Sequence, residues 1–403
     1  MTKNDKRTKW LNSTVLGIGL ASLFSDIGHE TATSILPAFL TSIGLGSVTL
    51  GIVEGVSDAL SSFSKIVSGH YTDRMQRRKP LAVFGYVLTA LGMASFSFAS
   101  VAWHILIGRA VGWMGRGIRS PVRNTLLTEA VTPETYGRAF GLERAMDSIG
   151  AVIGPLLAIL LMKQIGFRHT FLVTLIPGAL AALCIGFLVK ENQHTIKESR
   201  TIWKGFKLLP TQYKEFLLGV GIAGIGDFSN VLLILWATQA WTPRYGIEKA
   251  GALAMAFYIG FNIIYSLTSY FGGYFADHFP KQKVLTFGYI VATIPAIALM
   301  FRGASFLKFG IVFGFSGLYM GIWETVETAT AAYMIPEDLR GIGFGSLATI
   351  NGIGDFLSSL IVGLLWAVFP RLAMLYVIAT SLCGAFIVYF LKMKPNPYQN
   401  LAR

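Results

Sequence analysis

Charge is scarce in this sequence. Only 14% of the 403 residues are Asp, Glu, Lys or Arg, where a soluble domain carries about 25%. That shortage excludes a soluble globular protein. Cysteine is scarcer still: Cys184 and Cys383 are the only two, both inside apolar runs, so neither a disulfide framework nor a cysteine-rich metal site is available. There is no His-Glu-x2-His spacing, no Walker loop and no candidate pair of nucleophile and base, so no metal, no cofactor and no enzymatic activity is expected. The glycine pattern Gly341-Ile-Gly-Phe-Gly345 lacks the strand-and-helix context of a nucleotide site.

Apolar sequence is what the chain has in excess. Hydrophobic residues make up 53% and mean hydropathy is +0.57, while a membrane crossing needs about 20 mostly apolar residues. Apolar segments run over 12–40, 46–71, 80–101, 103–125, 138–163, 168–190, 215–241, 248–275, 282–302, 307–333, 340–368 and 371–393. These twelve are read as membrane helices of an all-α polytopic protein. The first is too long for a signal peptide and holds Asp26, His29 and Glu30, so it is expected to stay. The net charge of +13 would suggest nucleic acid in a soluble chain, but here orientation in the lipid bilayer explains it, and no nucleic-acid partner is expected. With the N-terminus inside, about 21 basic residues fall on the cytoplasmic side against about 7 opposite. Lys3, Lys6, Arg7, Lys9, Arg74, Arg77, Arg78, Lys79, Arg138 and Arg340 are among the former. Both termini are therefore expected in the cytoplasm.

The longest polar stretch, Lys190 to Lys214, separates six segments from six. It reads as a cytoplasmic linker, 191–214, between an N-terminal six-helix bundle, 1–190, and a C-terminal one, 215–403. Internal repetition supports the division. Phe84-Gly85-Tyr86 recurs as Phe287-Gly288-Tyr289, and Gly69-x3-Asp73 as Gly273-x3-Asp277. Gly137-Arg-Ala-Phe-Gly141 aligns with Gly341-Ile-Gly-Phe-Gly345, Asp147 with Asn351 and Gly150 with Gly354, each 204 residues apart, while Asp26 pairs with Asp227 at 201. Parallel halves that meet at the bilayer midplane suit alternating access, because rocking one against the other exposes a central site to each side in turn.

Through these residues the chain resembles the major facilitator superfamily over almost its whole length. The loop after segment 2, Gly69-His-Tyr-Thr-Asp73-Arg74-Met-Gln-Arg77-Arg78-Lys79, is similar to that family's motif A, with Gln76 where a second glycine is usual. Gly273-Tyr-Phe-Ala-Asp277 is its echo. An Asp that ends a helix beside a cationic turn can lock to a neighbouring helix terminus in one state and release it in the other. Gly69, Asp73, Arg74, Arg77, Arg78, Gly273 and Asp277 are accordingly read as a gate. Segment 5 carries Gly141-x8-Gly150-x3-Gly154-Pro155-x2-Ala158, similar to motif C, which the family associates with antiporters and exporters. Small residues four apart also permit close helix packing. Segment 4 supplies Leu106-x2-Arg109, similar to motif B, with Trp113 where its first glycine is expected. The resemblance implies twelve transmembrane helices in two pseudo-symmetric six-helix bundles, a small-molecule substrate and a bacterial-type inner membrane; a monomer is expected.

Ionisable groups at the bilayer centre cost on the order of 2.5–3.5 kcal/mol each, so they should turn toward a cavity or toward partners. Segment 4 puts Arg109, Arg116, Arg119 and Arg123 on one stripe. Arg116 and Arg119 are candidates for substrate, Arg123 for a salt bridge, and Arg109 for a coupling or structural partner. Asp26 and Glu30 lie four apart on one face of segment 1. Two close carboxylates in a dehydrated cavity repel each other and lose solvation, which is what a proton carrier requires; a permanent bridge to a segment 4 arginine explains them equally well. His29 reads as a hydrogen-bonded cavity residue. Glu54 and Asp58 are four apart on segment 2, with Lys65 seven beyond, and either line the cavity or pair internally. On segment 5 Glu143 and Asp147 share a face while Arg144 points elsewhere; Asp147 is deep enough to enter the cavity.

In the second half the buried polar candidates are Asp227, Asn262, Glu324, Glu327 and Asp355. Glu324 and Glu327 hold the repeat positions of Ser120 and Arg123, and Trp323 replaces Arg119. A cationic wall would then face an acidic one across the cavity, either holding a zwitterionic or polyfunctional solute or bridging directly in one access state. Trp236, Trp241, Tyr258, Tyr265, Trp323 and Tyr333 add aromatic contacts or belong to interfacial belts. The expected function is secondary active transport, with a proton-coupled antiporter that exports a small organic solute as the leading reading. Transport of an organic anion or metal chelator is the second, and a membrane-embedded receptor or enzyme on the same scaffold is the reading from another class.

Overall fold

The structure, a computed structural model, describes residues 10–43, 47–191, 202–228, 230–301 and 303–391. Lys3, Lys6, Arg7, Lys9, Arg302 and residues 192–201 of the predicted linker lie outside the described residues, and so does the side chain of Glu54. The first half forms α1 (Ser13–Ser42), α2 (Ser47–Arg74), α3 (Lys79–Ala94), α4 (Ala102–Glu129), α5 (Tyr136–Val173) and α6 (Leu175–Leu188). The short α7 (Ile202–Leu208) precedes α8 (Thr211–Gly224), α9 (Asn230–Tyr245) and α10 (Ile247–His278). The chain continues through α11 (Lys281–Val291), α12 (Thr293–Met300), α13 (Phe306–Met334), α14 (Arg340–Val368) and α15 (Pro370–Tyr389). The described residues contain no strand.

Seven helical stretches among the described residues are long and apolar enough to cross a membrane on length and composition alone. One of them, Pro133–Leu188, is 56 residues long, enough for two crossings at 1.5 Å per residue. It reverses at Gly166, whose φ of 74° is one that side chains with a Cβ avoid. Helix α4 falls outside that set because its arginine stripe puts at least three charges in every 18-residue stretch. Helices α8 and α9 fall outside it because they have only 14 and 16 residues. The sequence reads 215–241 as one continuous segment, and the structure ends a helix within it at Gly224, with 225–228 outside any helix. Gly221, Gly224 and Gly226 cluster at the break, where each glycine lowers helix stability by about 1 kcal/mol relative to alanine.

Helix α1 packs on α5 and α6, α4 on α2 and α3, α10 on α9 and α13, and α15 on α8, α11 and α12. Between the halves, α2 lies against α14 and α5 against α10. The apolar core has a matching asymmetry. At the end where α1, α5 and α14 begin, one cluster runs through both halves, from Val15, Ile18, Tyr136 and Phe140 to Tyr213, Leu339 and Phe344. At the opposite end the core is divided: Phe39, Phe96, Ile105 and Phe171 pack together in the first half, and Trp241, Phe309, Val312 and Met374 in the second. The halves are thus fused at one end and separately packed at the other.

Glycines set the close approaches within and between the halves. A Cβ on Gly150 would stand 2.6 Å from the Leu23 carbonyl oxygen, and one on Gly154 would stand 2.6 Å from the Glu30 Cβ, so these two seat α5 on α1. Gly141 seats the same helix on α10, where its Cβ would meet the Ser269 carbonyl oxygen at 2.5 Å. Pro155, next to Gly154, is accommodated inside α5. Replacing Gly150 by Leu should cost about 1–3 kcal/mol, as overpacking usually does. The check is thermal unfolding of the purified protein; a melting temperature equal to wild type would mean that α1 and α5 separate without cost.

Candidate functional site

A helix leaves its first amides without intrahelical acceptors. At the fused end two such helix starts are capped from the opposite half. The Asp73 carboxylate, near the end of α2, accepts the N–H of Gly341 at 2.6 Å and of Ile342 at 2.8 Å, in the first turn of α14. Its repeat counterpart Asp277, at the end of α10, accepts the N–H of Gly137 at 2.7 Å and of Arg138 at 3.0 Å, in the first turn of α5, and the Arg138 Nε at 3.0 Å. Both contacts are charge-assisted and sit at the positive end of a helix dipole. Such closeness requires glycine on both sides. A Cβ on Gly69 would meet the Gly341 carbonyl oxygen at 2.3 Å, and one on Gly273 would meet that of Gly137 at 2.0 Å.

The cationic turn after α2 is bonded mainly within its own half, Lys79 donating through Nζ to the Val189 carbonyl at 3.0 Å. Arg78 is buried, donates through Nε to the Thr72 carbonyl at 2.8 Å and pairs with Glu129. Glu129 also faces Arg340 of the second half at 3.6 Å. Arg77 is exposed, and Arg74 is the last residue of α2.

Deeper in the first half, Asp26 is buried and meets Arg116 at 3.2 Å and Arg119 at 3.9 Å. Arg119 lies over the Tyr86 ring, 4.3 Å from its centroid. One turn further along α1, His29 stacks on Trp113 at 4.5 Å and stands 3.8 Å from Glu30. Trp113 carries Arg109 over its ring at 4.4 Å and Arg116 at 5.3 Å, and its Nε1 donates to Asp58 at 2.7 Å. Arg109, grouped with Asp26 and Glu30 on sequence grounds, donates to the Thr33 hydroxyl at 2.8 Å. Asp58 is exposed although it lies midway along α2, and so is Asp355 midway along α14. Lys65 feels both of them together with Arg116 and Arg144, so α2, α4, α5 and α14 turn these charges toward one shared space.

A second chain of charges crosses between the halves. Arg123 pairs with Glu143 at 2.6 Å and donates to Ser22 at 3.0 Å, and Ser22 donates to Glu143 at 2.7 Å. Arg144 follows, 3.6 Å from Glu143, 3.8 Å from Asp147 and 3.3 Å from Glu324 of α13. Tyr265 of α10 donates to the same Glu324. This corrects the expectation that Arg144 points away from its acidic neighbours. Residues three apart on a helix are neighbours, and the guanidinium's reach covers what a helical-wheel angle omits.

The remaining candidates in the second half divide into two groups. Glu327 is buried and satisfied locally, accepting from Trp323 Nε1 at 2.5 Å and Asn351 Nδ2 at 2.6 Å. Only Glu324 of the predicted acidic pair reaches the first half, so the two glutamates do not form one wall. Asn262 is turned onto its own helix, donating to the Tyr258 carbonyl at 3.0 Å. Asp227 stands in the break between α8 and α9.

Two bundles locked at one end, with ionisable groups gathered between and within them, is the arrangement of a known family. The sequence pattern of the Major Facilitator Superfamily matches residues 18–359. The chain belongs to that superfamily. It is 28% identical over 393 residues to an uncharacterized MFS-type transporter of Methanocaldococcus jannaschii, covering 97% of this chain and 98% of that one. Its fold is similar to FucP of Escherichia coli in the outward conformation, with TM-score 0.76, 15% identity and coverage of 96% and 100%. It is also similar to the human organic anion transporter MFSD10, with TM-score 0.72, 14% identity and coverage of 94% and 99%. The chain is therefore a multi-pass membrane transporter with the major facilitator fold, not an enzyme.

Within this major facilitator protein, sequence reasoning overlooked Arg144 as a link between the halves and Trp113 as the hub for His29, Arg109, Arg116 and Asp58. Trp113 was visible only as a departure from motif B. The link through Arg144 can be measured by a double-mutant cycle with Arg144→Ala and Glu324→Ala. A coupling of about 0.5–3 kcal/mol in unfolding free energy is expected for a contacting pair; strictly additive effects would mean that the two side chains do not interact.

Proposed function

We propose that this transporter exports a small organic solute in exchange for protons. It would work by alternating access between the bundles 1–190 and 215–403, in a bacterial-type inner membrane. On this reading the fused end and both termini face the cytoplasm, consistent with the basic residues clustered around α2, α3 and the linker. The observation that carries the proposal is Asp26, buried, shared by Arg116 and Arg119, and one turn from Glu30. A proton on Asp26 removes the charge that holds both guanidinium groups. They then become free for an anionic or polar substrate group, and proton occupancy is linked to which access state is stable. The space lined by Asp58, Trp113, Arg116 and Asp355 is the proposed route for solute. Arg144, shared by Glu143, Asp147 and Glu324, is with the Asp73 and Asp277 caps among the contacts that must part when the halves rock. The motif C resemblance in α5 favours export.

A second reading, transport of an organic anion, is favoured by the arginine stripe. Arg116 keeps 29% of its side chain accessible, and the structural neighbour MFSD10 is a human organic anion transporter.

Reconstituted protein under opposed proton gradients separates these readings. Asp26→Asn should abolish proton-driven accumulation, lowering it at least about tenfold, while solute affinity changes by less than about threefold, or 0.7 kcal/mol. Accumulation that still follows the proton gradient in Asp26→Asn would refute the coupling role. Tighter retention of anionic than cationic solutes, lost in Arg116→Ala, would favour the second reading.

A further inference from the structure

The two halves treat their repeated carboxylate differently. In the first half Asp26 is neutralised by Arg116 and Arg119. In the second, Asp227 is the repeat equivalent, and the repeat offset of 204 puts Met320 and Trp323 where those arginines stand. Asp227 has no cationic partner among the described residues. The charges that act on it come from Asp355, Glu324 and Glu327, all acidic.

Asp227 lines a cavity of about 30 Å³ between the α8–α9 break and helices α12, α13 and α15. That is room for a water molecule or a bare alkali cation, not for an organic solute. Ser316, Tyr319, Met320 and Ser381 line it as well. Ser316, Tyr319 and Ser381 are 9%, 8% and 5% exposed, and their hydroxyls have no hydrogen-bond partner among the described residues. These three hydroxyl-bearing residues line the same small space as Asp227, and a polar group facing a cavity is ordinarily satisfied there by water or an ion. The carboxylate of Asp227 and the three hydroxyls are hard oxygen donors of the kind alkali cations favour, Asn230 lines the same space, and the rest of the lining, from Phe228 and Leu233 to Val377, is largely apolar.

We propose that this cavity is a binding site for one alkali cation, tested here as Na+, held by the Asp227 carboxylate and the hydroxyls of Ser316, Tyr319 and Ser381. The bound ion takes the place that arginine fills in the first half. It neutralises Asp227 against its three acidic neighbours and joins the broken helix to α13 and α15. The site is separate from the Asp26 cluster and does not depend on the proton-exchange reading.

The test is ion-dependent stability of the purified full-length protein. Melting temperature is followed in NaCl, LiCl, KCl and choline chloride at constant ionic strength, because a ligand that binds only the folded protein raises its apparent stability. Na+ should raise the melting temperature saturably over choline in wild type and in Asp26→Asn, and not in Asp227→Asn. Equilibrium binding of radioactive sodium should saturate at one ion per chain and weaken at least about tenfold, equivalent to 1.4 kcal/mol, in the Ser316→Ala/Ser381→Ala double variant. This second assay holds even where Asp227→Asn fails to fold. The proposal is overturned if Na+ and choline give the same melting temperature, if Asp227→Asn keeps the Na+ response, or if the serine double variant binds sodium with wild-type affinity.

Discussion

Two carboxylates, each at the end of a helix in one half, occupy the amide groups that a helix in the other half leaves bare. Asp73 serves α14 and Asp277 serves α5, and the geometry of one repeats in the other. Everything at the fused end depends on this exchange. A helix N-terminus buried without acceptors would leave unpaired N–H groups, each costing about 1–3 kcal/mol. The halves can therefore close here only by bringing both carboxylates into place. The four glycines Gly69, Gly137, Gly273 and Gly341 make the contact possible, since any Cβ at those points collides with backbone. The same contacts are polar and few, and water can replace them when the end opens. A purely apolar seal would lack that exchange.

The interior follows from the closure. With α2 against α14 and α5 against α10, Asp26, Arg119, Arg123 and Glu327 of α1, α4 and α13 are buried inside the protein. The first half supplies more cation and the second more acid, but the two walls are not simply opposed. Arg123 is consumed within its own half by Glu143, and Glu327 within its own by Trp323 and Asn351. One guanidinium, on Arg144, connects the two sets through Glu324. Deep to the fused end, where Glu129–Arg340 and Arg138–Asp277 also pair across the halves, the local networks of the two halves meet through the Arg144–Glu324 bridge, which a rocking motion can break without disrupting either.

Much of the fold was legible in the sequence because hydrophobic run length and periodicity are one-dimensional quantities. The positions of Asp73 and Asp277, each four residues after a glycine and repeated 204 residues apart, were legible for the same reason. What escaped depends on breaks and reach. Helix propensity at Gly221, Gly224 and Gly226 is a weak signal beside an apolar run, so the α8–α9 interruption was absorbed into one segment. Arg144 was misjudged because a helical wheel gives the direction of a Cβ, not the span of a long side chain. Trp113 broke a family pattern, and only three-dimensional packing shows that it organises His29, Arg109, Arg116 and Asp58. The partners of Glu327 come from one turn back on its own helix and from α14, and the second of these no local pattern could supply.

The central claim is that the two carboxylate caps hold the halves together at one end. It is tested most directly by pulsed electron paramagnetic resonance on spin labels placed at the exposed positions Gln76 and Glu337, which flank that end on opposite halves. The account predicts that a short-distance population dominates in the unsubstituted background and that the Asp73→Asn/Asp277→Asn double variant shifts weight to a longer one. An identical distance distribution in the two proteins would contradict it.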